Sequence, residues 1–454
     1  MPLNPPTVTF YACGPTVYDY THIGHIRTYL NENILKRTLT RFGYKVKHVM
    51  NITDVGHLTG DDDSGEDKLE KGAQKAGQTV WEVAEFYTDF FTRTIEALGI
   101  SKPDVLCKAT EHISSMIKLI DQLEQKGFTY KTNEAIYFYT SKFKAYGSLS
   151  GQNLGDKLQK AREEVHIDSE KKNPADFALW FFRVGRFANH TMHWESPWGD
   201  GFPGWHIECS AMSMRYLGET IDIHAGGIDH IPVHHENEIA QSEAATGKPF
   251  VRHWFHNNFL TVDGAKMSKS LNNFYTIEDV KKRGIDPLAI RLLFLQTHYR
   301  AEANFTFDAL EGAAAAYNKL KSVVTALKTQ TDRSVLSAEK LSQTDSYLRR
   351  FDAALANDLQ TAQALVVVWE VVKSNIPSVD KLDLLYSFDE ILGLDLKSAT
   401  IDQVPANIAK LADKRQSLRE KKKFDEADAV RKEIESHGYE IEDIGETFII
   451  KKIL

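Results

Sequence analysis

An apolar run over residues 8–12, a Gly14-Pro15 break and apolar positions at helical spacing from about His25 predict a strand, a turn and a helix. KVKHVMNIT, residues 45–53, reads as a second strand, so the chain opens with a βαβ unit. An acidic, glycine-containing stretch, DVGHLTGDDDSGEDKLEKGAQKAG, separates this unit from a helix predicted over about 79–98. Residues 99–200 read as an insertion with a helix at 111–126, a hairpin strand at 135–139 and a polar, weakly anchored segment at 148–173, where mobility is expected. The apolar DFALWFFRVGR then packs back on the body. Beyond SPWGDGFPGWH the alternation resumes, with a helix at about 205–217, the strand IDIHAGG and a helix at about 234–246. From Ile277 the period is almost wholly helical, over 277–298, 308–328, 345–373 and 379–393. A tail from about Asn407 closes in YEIEDIGETFIIKK, whose alternation around Gly445 predicts a hairpin.

These patterns predict an α/β fold: a doubly wound, Rossmann-like parallel sheet carrying an inserted domain, followed by a helical bundle and a small mixed α/β tail. At 454 residues the chain exceeds one ordinary core, and 42% hydrophobic with 26% charged residues is a soluble globular balance. No apolar run is long enough to cross a bilayer, and MPLNPPTVTF lacks the basic start and apolar centre of a signal peptide, so the cytoplasm is the expected compartment. Three scattered cysteines, Cys13, Cys107 and Cys209, exclude a disulfide framework. A net charge of −8 does not favour a polyanion partner, but such a partner senses local patches. One candidate patch lies at 410–432, where nine basic residues, among them Lys414, Arg415, Arg419, Lys421, Lys422 and Lys423, alternate with acidic ones; a solvated, salt-bridged face reads equally well.

Three constellations carry chemistry. His22-Ile23-Gly24-His25 falls where a helix begins, and a helix start offers unpaired N–H groups and a positive dipole end to a phosphate. Gly24 permits close approach, and the two imidazoles donate hydrogen bonds. Lys266-Met267-Ser268-Lys269-Ser270, after the Asp263-Gly264 turn, puts two ammonium groups on a loop able to close over a triphosphate. Cys13 ends the first strand, Cys209 lies on the 205–217 helix, and His234 and Glu238 share one helical face; together they form a plausible tetrahedral metal site, although simple burial of the cysteines and an ordinary helix start explain the spacing as well. The acidic cluster Asp61, Asp62, Asp63, Glu66 and Asp67 lacks the alternation of an EF-hand loop and reads as solvated.

HIGH after the first strand and KMSKS after the last form the paired signature of class I aminoacyl-tRNA synthetases. With CGPTVYD, PGWHIECSAM, HAGGID and HHENE, in that order over essentially the whole chain, the sequence resembles the cysteinyl-tRNA synthetase family. The resemblance implies division into a first catalytic half (1–98), a connective insertion (99–200), a second catalytic half (201–260), a KMSKS and stem-contact region (261–307), a helical bundle (308–395) and an anticodon-binding-like tail (396–454). It implies one Zn2+ on Cys13, Cys209, His234 and Glu238, with the thiolate of L-cysteine as a further ligand. ATP, with Mg2+, would meet His22, Gly24, His25, Gly226, Gly227, Asp229 and Lys269. Lys266 and Lys269 would stabilise the charge in transit, and Gly14, Thr53 and Trp205 would line the amino-acid pocket. The implied partner is tRNA(Cys), with no membrane, and a monomer is expected. Ala225 stands where the family often has a third glycine, and Pro232 comes one place early relative to HHENE. A ligase joining cysteine to an amino sugar is the nearest rival, and the tail after Asn407 favours tRNA.

Overall fold

The computed structural model describes residues 1–56, 58, 67–151, 168–268, 271, 273–330, 332–400, 406–421, 423–444 and 447–452. At its centre lies β1 (Thr7–Ala12), in which Phe10, Tyr11 and Ala12 are all fully buried, as an apolar run with no polar alternation requires. It leads into α1 (Ile23–Arg41) and β2 (Lys45–Ile52). Next come α2 (Lys68–Ala76), α3 (Val80–Ala97), β3 (Val105–Lys108) and α4 (Ile113–Gln125). A four-stranded antiparallel sheet comes after them, built from β4 (Thr129–Lys131), β5 (Ala135–Phe138), β6 (Phe177–Phe182) and β7 (Gly201–Pro203). The chain then returns through α5 (Trp205–Leu217), β8 (Ile221–Gly227), α6 (Glu236–Thr246) and β9 (Val251–Asn257).

The main sheet has the order β3-β2-β1-β8-β9, with every neighbouring pair parallel. Phe10 and Ala12 of β1 face one core with α1 and α3, whereas Tyr11 faces another with α4, α5 and α6. Helices thus cover both faces, which is the doubly wound architecture expected from the sequence. Chain order reverses between β1 and β8, so a crevice opens at their carboxyl ends, where ligands of such sheets bind.

Several sequence expectations need correcting. β3 pairs with β2, so residues 105–108 belong to the main sheet and the insertion begins only after α4; its four residues are too short to show a pattern. The segment read as acidic loop contains α2, with Asp67 as its N-cap accepting from Leu69 and Glu70 N–H groups; Asp61, Asp62, Asp63 and Glu66 lie outside the described residues. Most of the polar stretch at 148–173 lies outside them too.

The helical run expected at 277–298 is two helices, α7 (Ile277–Lys282) and α8 (Leu288–Leu295), parted by Gly284 at φ 73° and by Pro287. Between α6 and α7 lie the short strands β10 (Leu260–Val262) and β11 (Ala265–Lys266), and β12 (Ala303–Phe305) joins β10 in parallel. The bundle comprises α9 (Phe307–Lys328), α10 (Ala338–Ala356), α11 (Thr361–Lys373) and α12 (Ser378–Leu392). The run expected at 345–373 breaks at Asp358 and Leu359, both at φ 54°. There the Asp358 carboxylate accepts from Tyr299 Oη at 2.6 Å and Arg300 Nε at 2.8 Å. The tail holds α13 (Ala406–Glu420), α14 (Phe424–Ser436) and the antiparallel pair β13 (Tyr439–Ile444) and β14 (Thr447–Lys452); Gly445 lies outside the described residues. Arg415 is buried there and donates to both carboxylate oxygens of Asp443, at 2.7 and 2.9 Å, so it is a structural residue and not part of a basic surface.

Three arginines of α1 fasten the central helix to the elements behind it. Arg37 donates to the carbonyls of Gly99 and Glu390, and Arg41 pairs with Asp352 and donates to Ser387. Arg27 is fully buried, and Nη1 donates to the carbonyls of Asn258 and Phe259, at 2.6 and 3.1 Å, while Nη2 donates to those of His298 and Ala301, at 3.0 and 2.6 Å. Burial lowers its pKa to about 10, which leaves it charged at neutral pH. Four carbonyls share one cation, and Arg27→Met would leave all four without that donor. A loss of about 3 kcal/mol or more in denaturant unfolding is expected, and a loss under about 1 kcal/mol would contradict the clamp.

Candidate active site

The turn after β1 and the start of α1 shape one wall of the crevice. His22 caps α1, its Nδ1 accepting from the N–H groups of Gly24 (3.1 Å) and His25 (3.4 Å), so the ring proton resides on Nε2. Its ring stacks on that of His25 at 3.7 Å. A Cβ on Gly24 would stand 3.0 Å from the His22 ring and 3.1 Å from Met267 Cε, so the glycine is what lets the two motifs close on each other. Ile23 N donates to Tyr275 O, and Phe274 lies edge-on to His22 at 5.0 Å. Residues 274–276 are therefore tied to the start of α1.

Just before the second motif, Asp263 and Gly264, at φ 50° and 74°, form the tight turn between β10 and β11. The Asn273 carboxamide braces the loop beyond β11, accepting from Ser268 N at 2.7 Å and donating to Lys266 O at 3.1 Å. Lys266 is exposed; Lys269 lies outside the described residues.

The opposite wall carries the metal-type donors. Cys13 comes directly after β1, held by its N–H to Ala225 O; Cys209 is on α5; His234 and Glu238 come from the approach to α6 and from α6 itself. One donor atom of each lies within 4.8 Å of the others, and all four side chains are buried. The sequence puts His234 inside a helix, but residues 231–235 form a π-helical turn with Pro232 at its start, and the regular helix begins only at Glu236. A π turn takes up an extra residue, and Pro232 stands in its first turn. His234 Nε2 lies 2.9 Å from Glu238 Oε1.

Electrostatics suit a cation there. Burial would raise the Glu238 carboxyl, but His224 and His234 outweigh it and hold the pKa near 2. Burial would lower His234, but Glu238 and Cys209 lift it to about 10. Cys209 is lowered against its own burial, chiefly by the hydrogen bond from Cys13, while burial pushes Cys13 up. Two thiols, an imidazole and a carboxylate gathered out of water are the donor set of a tetrahedral site for a divalent, moderately soft cation. A second group, Cys13, His224, His235 and Glu238, is equally close. There, however, His224 Nε2 is engaged by Glu238 Oε2 at 2.9 Å, and His235 Nδ1 meets His256 Nε2 at 2.9 Å, so these rings read as supports for the ligands. His206 Nδ1 meets His234 Nδ1 at 3.0 Å in the same way.

The remaining expected residues ring this centre. Trp205, the first residue of α5, stacks on His234 at 4.3 Å. Gly226 and Gly227 end β8: a Cβ on the first would meet His230 and His235 within 3.0 Å, and on the second Asp229 Oδ1 at 2.1 Å. Gly14 and Thr53 lie where β1 and β2 end, and a Cβ on Gly14 would collide with Asn51 O. Sequence reasoning missed Asn51, His206, Glu208, His224, His235, His256 and Asn273. His206, Glu208, His224 and His235 stand inside motifs already quoted, and Asn51 and Asn273 lie within a few residues of Thr53 and Lys269, whereas His256, ten residues before Lys266, had no such signal.

The family model for tRNA synthetases class I (C) catalytic domain matches residues 1–315. A cysteine–tRNA ligase from Treponema denticola is 44% identical over 98% of this chain and 95% of its own length. One from Burkholderia lata is 42% identical over 98% and 92%, and one from Chlorobaculum tepidum 40% identical over 98% and 94%. Among solved structures, a Mycobacterium tuberculosis methionyl-tRNA synthetase in complex with methionyl-adenylate shares the fold with a TM-score of 0.60 at 15% identity, covering 86% of this chain and 90% of its own. A leucyl enzyme from Agrobacterium radiobacter does so with a TM-score of 0.62 at 12% identity, covering 87% and 85%. With its parallel sheet, its apposed HIGH and KMSKS segments and relatives alike from end to end, the chain belongs to the class I tRNA synthetases, within the family of the cysteine–tRNA ligases.

Proposed function

We propose that the protein activates L-cysteine with ATP and Mg2+ to cysteinyl-adenylate and transfers it to the terminal adenosine of tRNA(Cys), selecting the amino acid by its sulfur at a Zn2+ held by Cys13, Cys209, His234 and Glu238. The observation that carries this reading is the convergence of those four donors within 4.8 Å beside the crevice. When bound, zinc supplies a Lewis-acidic centre with high affinity for thiolate, which serine cannot match. A hydrophobic pocket alone discriminates poorly between near-isosteres, so a sulfur-specific contact removes the need for editing.

The rest of the site positions. His22 keeps its ring proton on Nε2 because Nδ1 is occupied by the helix start, and we assign that N–H to a phosphate oxygen, with His25 beside it. Gly24 keeps that approach open. Gly226 and Gly227 leave room for the adenosine, whose ribose hydroxyls donate to Asp229. Lys266 and Lys269 offset the charge that builds on the departing pyrophosphate. Gly14, Thr53 and Trp205 bound the amino-acid pocket. No protein nucleophile is needed, because orienting two bound reactants supplies roughly 7–11 kcal/mol of the barrier. Similarity of the relatives over 98% of the chain, tail included, supports tRNA over an amino sugar as acceptor. Among the described residues no helix is long and apolar enough to cross a membrane, and we place the reaction in the cytoplasm, carried out by a monomer.

Cys209→Ser should lose zinc and relax selection against serine; stoichiometric metal in the purified variant would remove Cys209 from the ligand set. Lys269→Ala should abolish cysteine-dependent ATP–pyrophosphate exchange with the fold intact, and an unchanged exchange rate would exclude that lysine from the chemistry.

A further inference from the structure

Lys266, the first lysine of its motif, rides on β11, a two-residue strand at the edge of the sheet β11-β10-β12. Its ladder to β10 consists of Thr261 opposite Lys266 and Val262 opposite Ala265, so the strand fixes little by itself. What steadies it comes from β12. Asn304 Oδ1 accepts from Gly264 N at 2.9 Å and Phe305 O accepts from Asp263 N at 3.0 Å, so both residues of the turn are tied to that strand. The Gly264 N–H can only donate, which fixes the carboxamide with its oxygen toward the turn. The same oxygen lies 3.1 Å from Thr261 Oγ1, whose single proton has Ala303 O as its other acceptor, at 3.2 Å. Asp263 holds a left-handed φ of 50°, which a residue with a Cβ adopts at some cost, and bonds that pin the turn offset it.

Strand register lines these groups up. Thr261 pairs with Asn304 on one side and with Lys266 on the other, so the three side chains form one row on one face of the sheet. Ala303 and Phe305 are buried on the opposite face, and Asn304 is exposed. The frame beneath the row is shared with the other motif. Arg27, on the helix that His22 caps, donates to Asn258 O and Phe259 O just before β10 and to His298 O and Ala301 O just before β12. Both strands that hold the turn are thus referred to α1, and the Asn304 bond passes that reference on to the lysine hairpin. Taking the phosphate roles proposed above for His22 and Lys266 as given, we infer that Asn304 is a positioning residue for the activation step: its carboxamide oxygen locks the Asp263–Gly264 turn and so holds Lys266 at the reach the triphosphate requires. A displacement of about 1 Å at such a group can cost on the order of 100-fold in rate, more than the bond itself is worth to the fold.

Cysteine-dependent ATP–pyrophosphate exchange by the zinc-loaded full-length protein, with ATP and cysteine varied in turn, tests this. Asn304→Ala removes the acceptor at an exposed position, and Asn304→Asp keeps an oxygen in its place. The first should lower kcat/KM for ATP by roughly 5- to 50-fold, with KM for cysteine and zinc content within about twofold of the parent. The second should regain most of that loss. In a Lys266→Ala background, Asn304→Ala should cost no more than about twofold, because the group it positions is gone. Parent-like ATP kinetics in Asn304→Ala, equal losses toward ATP and cysteine, no recovery in Asn304→Asp, or an undiminished effect without Lys266 would each overturn the assignment. Lys266→Ala alone separates this inference from the reading beneath it. If that variant keeps parent-like ATP kinetics, the role of Lys266 fails and this inference with it; if it is impaired while Asn304→Ala is not, only this inference fails.

Discussion

Cys13, Cys209, His234 and Glu238 come from three separate stretches of chain, yet their donor atoms must share a space 4.8 Å across. Everything else in the catalytic core can be read as meeting that constraint. The reversal of chain order between β1 and β8 puts the carboxyl ends of two parallel strands side by side and sends their helices to opposite faces. Cys13 then lies beside β8 through its N–H bond to Ala225 O, α5 carries Cys209 in from the other face, and the π turn before α6 sets the angle at which His234 meets Glu238. A regular helix starting at Pro232 would have moved His234 round the axis.

Burying two thiols and a carboxylate is unfavourable unless charge is matched. Here the matching is local. His224 and His234 hold Glu238 ionised, and Glu238 and Cys209 hold His234 protonated, so the cluster carries a proton where a cation would lie. Binding a divalent ion replaces that proton, which couples metal affinity to pH in the direction expected for thiolate and imidazole ligands: tighter as pH rises. The surrounding rings of His206, His224, His235 and His256 restrict how each ligand can turn, and Trp205 closes over His234.

Much of this could be read from the residues. The apolar run over residues 8–12 marked β1 as a buried strand, KVKHVMNIT and IDIHAGG were read as the strands β2 and β8, and the change of period marked α1 and the returning half of the sheet. The features that escaped had little local signal. β3 is four residues long, α2 starts inside an acidic stretch, and the breaks at Gly284 and Asp358 are single backbone reversals within periodic sequence. The Asp358 break is stabilised by Tyr299 and Arg300 from another element, which no window of sequence can report. Arg415, read as part of a basic face, is sequestered by Asp443 for the same reason. In the site, the motif residues were legible because spacing identified them. The supporting shell of histidines, with Asn51 and Glu208, was not, since its members acquire meaning only from the side chains they touch.

Sulfur recognition at the four-donor cluster is most directly tested by loading the protein with cobalt(II) in place of the native metal and recording its absorption spectrum as amino acids are added. Cys13 and Cys209 already give a thiolate-to-cobalt charge-transfer band; a further rise in that band with L-cysteine, complete at one equivalent, and no rise with L-serine is the expected result. The same spectrum with either amino acid, in a protein that still activates cysteine, would show that the substrate's sulfur does not meet the metal.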